Sequence, residues 1–313
     1  MSVAALEKAV GFQYPDQPVS WNKRDLLAYA LGIGAKGTDY NFVYELDKAF
    51  APFPTYPVIL PLKGDDTDVN TFSDRVKDRA GPEDFPVFDP NRIVHGTQTI
   101  EILKPIPTVS GPGWKLKKRI SSIQENKSGV IVEAELTLVD AQGTPYTRSY
   151  SSSFNLGAKV TGERFAKSVA GPPKAKPIPK DRKPDWLTRD QTTPEQAVLY
   201  RLSGDYNPLH IDPHIGQAAG FGGVILHGLS TYGFSARALL SAVGGNEPTA
   251  LRFFSARFTA PVKPGDALEI AAWEVGTAPG GATEVVYETR NLTSGKVVIS
   301  GSAWVVKAEK SKL

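Results

Sequence analysis

The segment at residues 199–237 reads LYRLSGDYNPLHIDPHIGQAAGFGGVILHGLSTYGFSAR and combines a carboxylate, an amide, an imidazole and a glycine-led helix start. Asp205 and His210 flank an Asn207-Pro208 pair, which disfavours helix at Asn207 and turns the chain. The turn lets the carboxylate and the imidazole face one pocket. Such a pair can share a water molecule and move its proton when burial brings both pKa values near working pH. An ordinary surface turn with an incidental His210 is the alternative.

The end of this segment opens a helix that we expect at the centre of the fold. Residues 228–243, GLSTYGFSARALLSAV, are apolar around most of the helix circumference and stop at Gly244-Gly245, which predicts a glycine C-cap. Strand-like runs bounded by Gly, Pro or Asn follow at residues 250–262, 266–276, 282–291 and 296–308. The pattern therefore predicts a long helix wrapped by an antiparallel sheet.

The first half carries a less complete version of the same plan. Residues 20–34 read as a short amphipathic helix that ends in glycine, and strand-like runs follow at 95–103, 116–143 and 144–157. Gly32-x-Gly34-x-x-Gly37 fits a dinucleotide-binding fingerprint, but it follows a helix instead of a strand, so we reject a nucleotide site. Residues 51–92 are rich in proline and show no long helix. Without that helix, we expect the sheet of the first half to leave an apolar groove that could hold a fatty acyl chain. The alternative is that residues 51–92 fill the space as irregular chain.

Composition excludes several functional classes. The 313 residues are 41% hydrophobic and 22% charged, which suits a globular protein of two domains. There is no cysteine, so disulfides, thiolate metal sites and a thiol nucleophile are excluded. The histidines match no familiar zinc pattern, and we expect no metal; they are His95, His210, His214 and His227. A net charge of +3 is too small to indicate nucleic acid, and no apolar run is long enough to span a bilayer.

The Asp205 segment resembles the signature of the hydratase 2 family, the MaoC-like (R)-specific enoyl-CoA hydratases. That pattern runs from an aromatic and a small residue through Gly-Asp-x-Asn-Pro-hydrophobic-His to a downstream glycine at a helix start. The positions that fill it here are Tyr200, Ser203, Gly204, Asp205, Asn207, Pro208, Leu209, His210 and Gly228. The resemblance extends into the first half through residues 28–35, 42–45 and His95-Gly96, and it looks like the two-domain eukaryotic peroxisomal form.

The resemblance implies an α+β tandem (double) hotdog fold with antiparallel sheets, its long central helix present in the second half and missing in the first. Residues 1–165 would form an N-terminal hotdog-like domain that binds the acyl chain. Residues 166–190, with five prolines and seven basic residues, read as a linker. Residues 191–313 would form the catalytic hotdog domain.

The implied activity is the addition of water to trans-2-enoyl-CoA to give (3R)-hydroxyacyl-CoA in fatty-acid β-oxidation, with no metal or organic cofactor. Asp205 and His210 would activate the water, Asn207 would orient them, and the Gly228 N–H would stabilise the thioester oxygen, helped by the helix dipole. Further predicted substrate contacts are His95, Gly96, Lys127, Tyr206, Pro208, Leu209 and Phe258. His227, next to Gly228, reads equally as a packed neighbour or a participant.

Two other activities stay open at this stage. Dehydration of a 3-hydroxyacyl thioester in a synthetic pathway would use the same residues, and a hotdog acyl-CoA thioesterase would share the fold and the ligand. The net charge is compatible with polyanionic coenzyme A. Ser311-Lys312-Leu313 form a tripeptide that the peroxisomal import receptor reads, so we expect a peroxisomal enzyme with that receptor as a partner. The expected assembly is a homodimer.

Overall fold

The computed structural model describes residues 3–73, 81–89, 92–162 and 164–308. Its helices are α1 Val3–Ala9, α2 Lys23–Gly32, α3 Tyr40–Val43, α4 Leu60–Lys63, α5 Gln196–Arg201, α6 Pro213–Ala218 and α7 Gly228–Gly244. Its strands are β1 Gln17–Pro18, β2 Ile93–Ile102, β3 Lys115–Asn126, β4 Gly129–Val139, β5 Pro145–Leu156, β6 Phe165–Ser168, β7 Trp186–Gln191, β8 Leu251–Phe258, β9 Ala267–Thr277, β10 Thr283–Asn291 and β11 Val297–Val305.

One antiparallel sheet runs through both halves of the chain. Its strand order is β1-β3-β4-β5-β2-β8-β11-β10-β9-β7, and β6 also pairs with β3. The halves join where β2 pairs with β8, in a register that sets Thr97 opposite Arg257 and Ile100 opposite Phe254. Because this seam is made of backbone hydrogen bonds, residues of the first half lie beside the second half at fixed positions.

Helix α7 packs against the sheet as the central helix of the second half. It spans 17 residues and is capped by Gly245, which adopts the left-handed conformation with φ 63° and confirms the predicted glycine C-cap. Two of its buried polar side chains bind main-chain carbonyls: the Tyr232 hydroxyl donates to Phe254 O at 3.1 Å and Ser230 Oγ donates to Gly32 O at 2.7 Å. Among the described helices, none has both the length and the apolarity that crossing a bilayer requires.

The glycines at the end of α2 serve close packing. A Cβ on Gly32 would lie 2.9 Å from the Cα of Tyr200 in α5, so that backbone contact excludes a larger residue. Gly34 has φ +78° and its missing Cβ would overlap the Phe234 ring of α7. These contacts give the Gly32-x-Gly34 pattern a structural role that agrees with rejecting a nucleotide site there.

The first half has no helix comparable to α7 in the ranges described, where α2 spans ten residues. Part of the corresponding space is occupied by residues 53–60, which include the 3₁₀ turn Tyr56–Ile59. Phe53, Tyr56 and Leu60 are buried in the same core cluster as the inner faces of β3 and β4. Part of the space in which we expected an acyl groove is therefore filled by short turns of chain, because proline blocks a long helix while the aromatic side chains still bury apolar area.

The predicted linker at residues 166–190 contains regular structure at both ends. Most of β6 lies at its start, and β7 lies across its end and pairs with β9. Residues 169–185 between them contain no helix or strand. Half-buried and exposed positions alternate along β7, as expected of a strand with one covered face. Its sequence, WLTRDQ, therefore forms a strand of the sheet and not a spacer. The division into two domains at this segment stays a prediction.

Candidate active site

The predicted turn is held by its own short-range hydrogen bonds. Gly204 adopts φ +123° and leaves no room for a Cβ beside Lys63, which makes glycine necessary before Asp205. The Asn207 N–H donates to Asp205 Oδ1 at 3.2 Å, and Asn207 Oδ1 accepts from the Leu209 N–H at 3.1 Å. Asn207 therefore orients the carboxylate through its backbone and caps the 3₁₀ turn Pro208–His210 through its side chain.

A backbone carbonyl fixes the tautomer of His210. Asp205 and His210 are both buried, each 9% exposed, and His210 Nδ1 lies 2.9 Å from Ile225 O. Since a carbonyl only accepts, Nδ1 carries the proton and Nε2 keeps a free lone pair in the neutral ring. His210 is thereby set up to accept a proton at Nε2.

Burial dominates the electrostatics of the pair. It raises the pKa of Asp205, an effect opposed by the nearby His210 and by the Asn207 N–H. Burial also lowers the pKa of His210, opposed by the Asp205 carboxylate and by the Ile225 carbonyl. The two shifts bring the proton affinities of the groups toward each other, so their titration belongs to the pair. Groups with similar proton affinities can exchange a proton, as an acid/base dyad requires.

The raised pKa of Asp205 predicts that Asp205→Asn stabilises the protein at neutral pH. In the wild type, the folded state binds the Asp205 proton more tightly than the unfolded state does, so protonation of Asp205 stabilises the fold. This contribution is fully present below the unfolded-state pKa of about 3.9 and is lost as pH rises through the folded-state pKa. Asparagine cannot ionise, and its Oδ1 can still accept from the Asn207 N–H. Urea unfolding should give a higher free energy of unfolding for the variant at pH 7, and the difference should shrink toward pH 4.

The matched control is Asp181→Asn, because Asp181 is exposed. Its stability should equal that of the wild type at every pH. A lower stability of Asp205→Asn at pH 7 would contradict the burial argument.

Residues of both halves meet beside the start of α7. Gly228 is the first residue of that helix, where backbone N–H groups have no partner within the helix. A Cβ on Gly228 would lie 3.3 Å from the Phe258 ring, and that ring packs against His95 with centroids 4.7 Å apart. Burial lowers the pKa of His95 to about 4, so its ring is neutral at physiological pH. The predicted contacts His95 and Phe258 therefore lie next to the predicted Gly228 donor.

The other two predicted substrate contacts of the first half, Gly96 and Lys127, lie at different distances from His95. Gly96 lies in an irregularity of β2, and a Cβ there would lie 2.8 Å from Ser152 Oγ, so glycine allows the bulge beside His95. Lys127 is exposed in the turn between β3 and β4. This turn and the start of β2 lie at the same end of the sheet, but β5 separates β4 from β2. At normal strand spacing, the distance from β4 to β2 is roughly 10 Å.

Tyr206 faces a different environment from the dyad. Its ring lies 5.1 Å from the Arg201 guanidinium and lines a cavity of about 160 Å³ with Asp25, Lys63 and Asp66. Pro208 and Leu209, in the 3₁₀ turn, are half-buried. A larger cavity of about 420 Å³ lies between β2, β8 and linker residues 172–178, and none of the predicted site residues lines it. The dyad remains the predicted site, because it holds the titratable groups that acid/base chemistry needs.

Asp205, His210 and His227 form the group of described residues whose ligand atoms, all within 4.8 Å of one another, could hold a metal ion. The rings of His210 and His227 are stacked, with centroids 3.8 Å apart and planes at 30°. Buried histidines beside a carboxylate occur in metal sites and in acid/base sites alike, so this grouping does not by itself indicate a metal.

Sequence reasoning missed Ile225 as a partner of the dyad. Its contribution is the main-chain carbonyl that binds His210 Nδ1. Any residue type can offer a carbonyl, so the side chain at this position carries no signal. The expectation that His210 is buried could have indicated such a contact, because a buried ring nitrogen needs a hydrogen-bond partner.

Two protein-family models match the chain. The model of the MFE-2 hydratase 2 N-terminal domain matches residues 19–157, and that of the MaoC-like domain matches residues 175–297. A solved MaoC-like dehydratase from Phytophthora capsici superimposes with a TM-score of 0.82 at 33% identity, covering 99% of this chain and 100% of that one. A mycobacterial protein described as a double hotdog shares the fold at 12% identity and a TM-score of 0.57. The double hotdog prediction is thereby confirmed.

Curated relatives cover most of this chain. A probable dehydratase of Ajellomyces capsulatus is 38% identical over 95% of this chain and 81% of its own length. A probable enoyl-CoA hydratase 2 of Dictyostelium discoideum is 32% identical, with 94% of each chain covered. The chain spans only 47% of the peroxisomal multifunctional enzyme type 2 of Drosophila melanogaster, at 37% identity. The chain therefore belongs to the MaoC-like hydratase 2 family.

Proposed function

We propose that the protein hydrates trans-2-enoyl-CoA to (3R)-hydroxyacyl-CoA. The observation that carries the proposal is the buried Asp205/His210 pair, with His210 Nε2 free to accept a proton, near the N-terminus of α7. A relative named probable enoyl-CoA hydratase 2, similar over almost its whole length, supports the same reaction. The enzyme is a hydro-lyase in this proposal, with Asp205, His210, Asn207 and Gly228 as its catalytic groups.

The dyad would supply the acid/base chemistry. Asp205 and His210 hold one water molecule, and the pair takes a proton from it as its oxygen bonds to C3 of the substrate. The electrons of the C2–C3 double bond move toward the thioester carbonyl, and a proton from the pair is then delivered to C2. Water is added without any net change in the dyad. Asn207 contributes by orienting the carboxylate through its N–H.

The start of α7 would stabilise the charge that develops on the thioester oxygen. The Gly228 N–H lies in the first turn of a 17-residue helix, where its dipole favours negative charge. The absence of a side chain at Gly228 lets the substrate approach the backbone closely. Phe258, packed beside it, would contact the thioester region.

We also propose that residues 1–165 contribute the acyl-chain site. His95 of the first half packs on the Phe258 ring, and that ring lies beside Gly228, so the first half reaches the start of α7. Gly96, Lys127, Tyr206, Pro208 and Leu209 stay predicted substrate contacts. Burial of each acyl methylene would contribute about 0.8 kcal/mol before ordering costs.

Chiral analysis of the product tests the proposed activity. With enoyl-CoA substrates of several chain lengths, we expect the 3R alcohol, formed without added metal or cofactor. The 3S alcohol as the product, or free coenzyme A, would overturn the assignment, and free coenzyme A would indicate a thioesterase. The reverse reaction is the second candidate, because a relative at 38% identity is named a probable dehydratase and the same residues serve both directions.

Location and partners are proposed from the relatives. Several are named peroxisomal enzymes, which supports a peroxisomal hydratase of fatty-acid β-oxidation here. Ser311-Lys312-Leu313, the proposed contact with the import receptor, lie outside the described residues. Acyl-CoA is the proposed ligand and a homodimer the proposed assembly.

A further inference from the structure

His227 contacts both members of the dyad although it is distant from them in sequence. It is the N-cap residue of α7, directly before Gly228, and is 1% exposed. Its Nε2 lies 3.1 Å from Asp205 O, and its ring stacks on His210 with centroids 3.8 Å apart. Its ring also lies 4.9 Å from that of Tyr200.

We infer that His227 is a positioning residue for the dyad: its Nε2–H holds the main-chain carbonyl of Asp205 while its ring fixes the orientation of His210. The hydrogen bond ties the turn that carries the dyad to the start of α7, which carries Gly228. The His227 side chain thereby sets the distance between the Asp205/His210 dyad and the Gly228 N–H, the proposed donor to the thioester oxygen. Positioning errors of about 1 Å can cost on the order of 10²-fold in rate.

The hydrogen bond also sets the protonation state of His227. A carbonyl cannot donate, so the proton of the neutral ring is on Nε2, and the buried Nδ1 has no hydrogen-bond partner among the described residues. Burial lowers the pKa of His227 well below its ordinary value, and nearby His210 and Arg201 lower it further. The other titratable groups that face it are Asp205 and the Tyr200 phenol. The neutral ring lets His210 gain a proton without a second cation stacked on it.

Three substitutions separate the two contacts. His227→Gln can keep an N–H donor to Asp205 O but has no ring, His227→Phe keeps a ring but has no donor, and His227→Ala has neither. This test rests on the proposed hydratase reaction for its kinetic part. We expect kcat to fall roughly 10-fold for Gln and Phe and on the order of 10²-fold for Ala, with KM changed little.

The titration of His210, followed by NMR of ¹³C-labelled histidine, gives a readout independent of the reaction. Loss of the ring exposes His210 to water, so its pKa should rise toward the ordinary value in the Gln and Ala variants and stay low in the Phe variant. Wild-type kcat and an unchanged His210 titration in His227→Ala would overturn the inference. A thermal midpoint that falls with kcat while the His210 titration stays unchanged in all folded variants would overturn it too.

The two proposals can fail separately. A wild-type protein that does not hydrate enoyl-CoA refutes the proposed function, whereas the His210 titration still supports or overturns the role of His227. If His227→Ala does not fold, the Gln and Phe variants decide the same question, since each preserves one of the two contacts.

Discussion

His210→Ala and Asp205→Ala should each lower the hydration rate by roughly 10²- to 10⁴-fold, the range that general acid/base groups contribute. His210 presents an unprotonated Nε2 because Ile225 O holds the proton on Nδ1. In the proposed mechanism, loss of the ring removes the acceptor of the water proton, and loss of Asp205 removes the second contact of that water. Steady-state kinetics with a medium-chain enoyl-CoA measure the loss.

His214→Ala is the matched control, because His214 is exposed and lies four residues beyond His210. Its kcat and KM should equal those of the wild type. The Asp205/His210 double variant should lose less than the product of the single losses, because both groups act on one water molecule in the proposed mechanism. Losses that multiply would show that the two residues act in separate steps.

Gly228→Pro should lower kcat by about 10²- to 10³-fold, the cost of removing one donor to a developing oxyanion. Proline is favoured at the first position of a helix, and the preceding residue, His227, already has the extended conformation that proline requires, with φ −54° and ψ 132°. The substitution thus deletes the N–H at a site where the backbone can accept proline. Single-turnover measurements would separate this effect from binding.

Gly228→Ala supplies the control for the added side chain. Its Cβ meets the Phe258 ring at 3.3 Å, as that of proline would, but the N–H stays. The alanine variant should remain much closer to the wild type than the proline variant. Equal losses in the two would assign the effect to crowding at Phe258 and remove Gly228 as the donor.

The fold could be predicted well from local patterns. Alternation gave the strands of both halves, and the apolar run ending in Gly244-Gly245 gave helix α7. These elements follow from side-chain periodicity, which reports which face each residue buries. The linker was predicted less well, because proline and charge suggested a spacer where β7 pairs with β9. Pairing depends on a partner strand some 80 residues away, which composition does not register.

The placement of Asp205, Asn207 and His210 in one turn could be predicted from sequence, because a short segment with Asn-Pro at its centre constrains its own geometry. The surroundings of these residues depend on how distant segments pack. Ile225 O sets the tautomer of His210, and His227 stacks on that ring from 17 residues away. His95 reaches Phe258 through the β2–β8 seam. Such contacts arise from the packing of distant elements, and no local propensity or spacing encodes them.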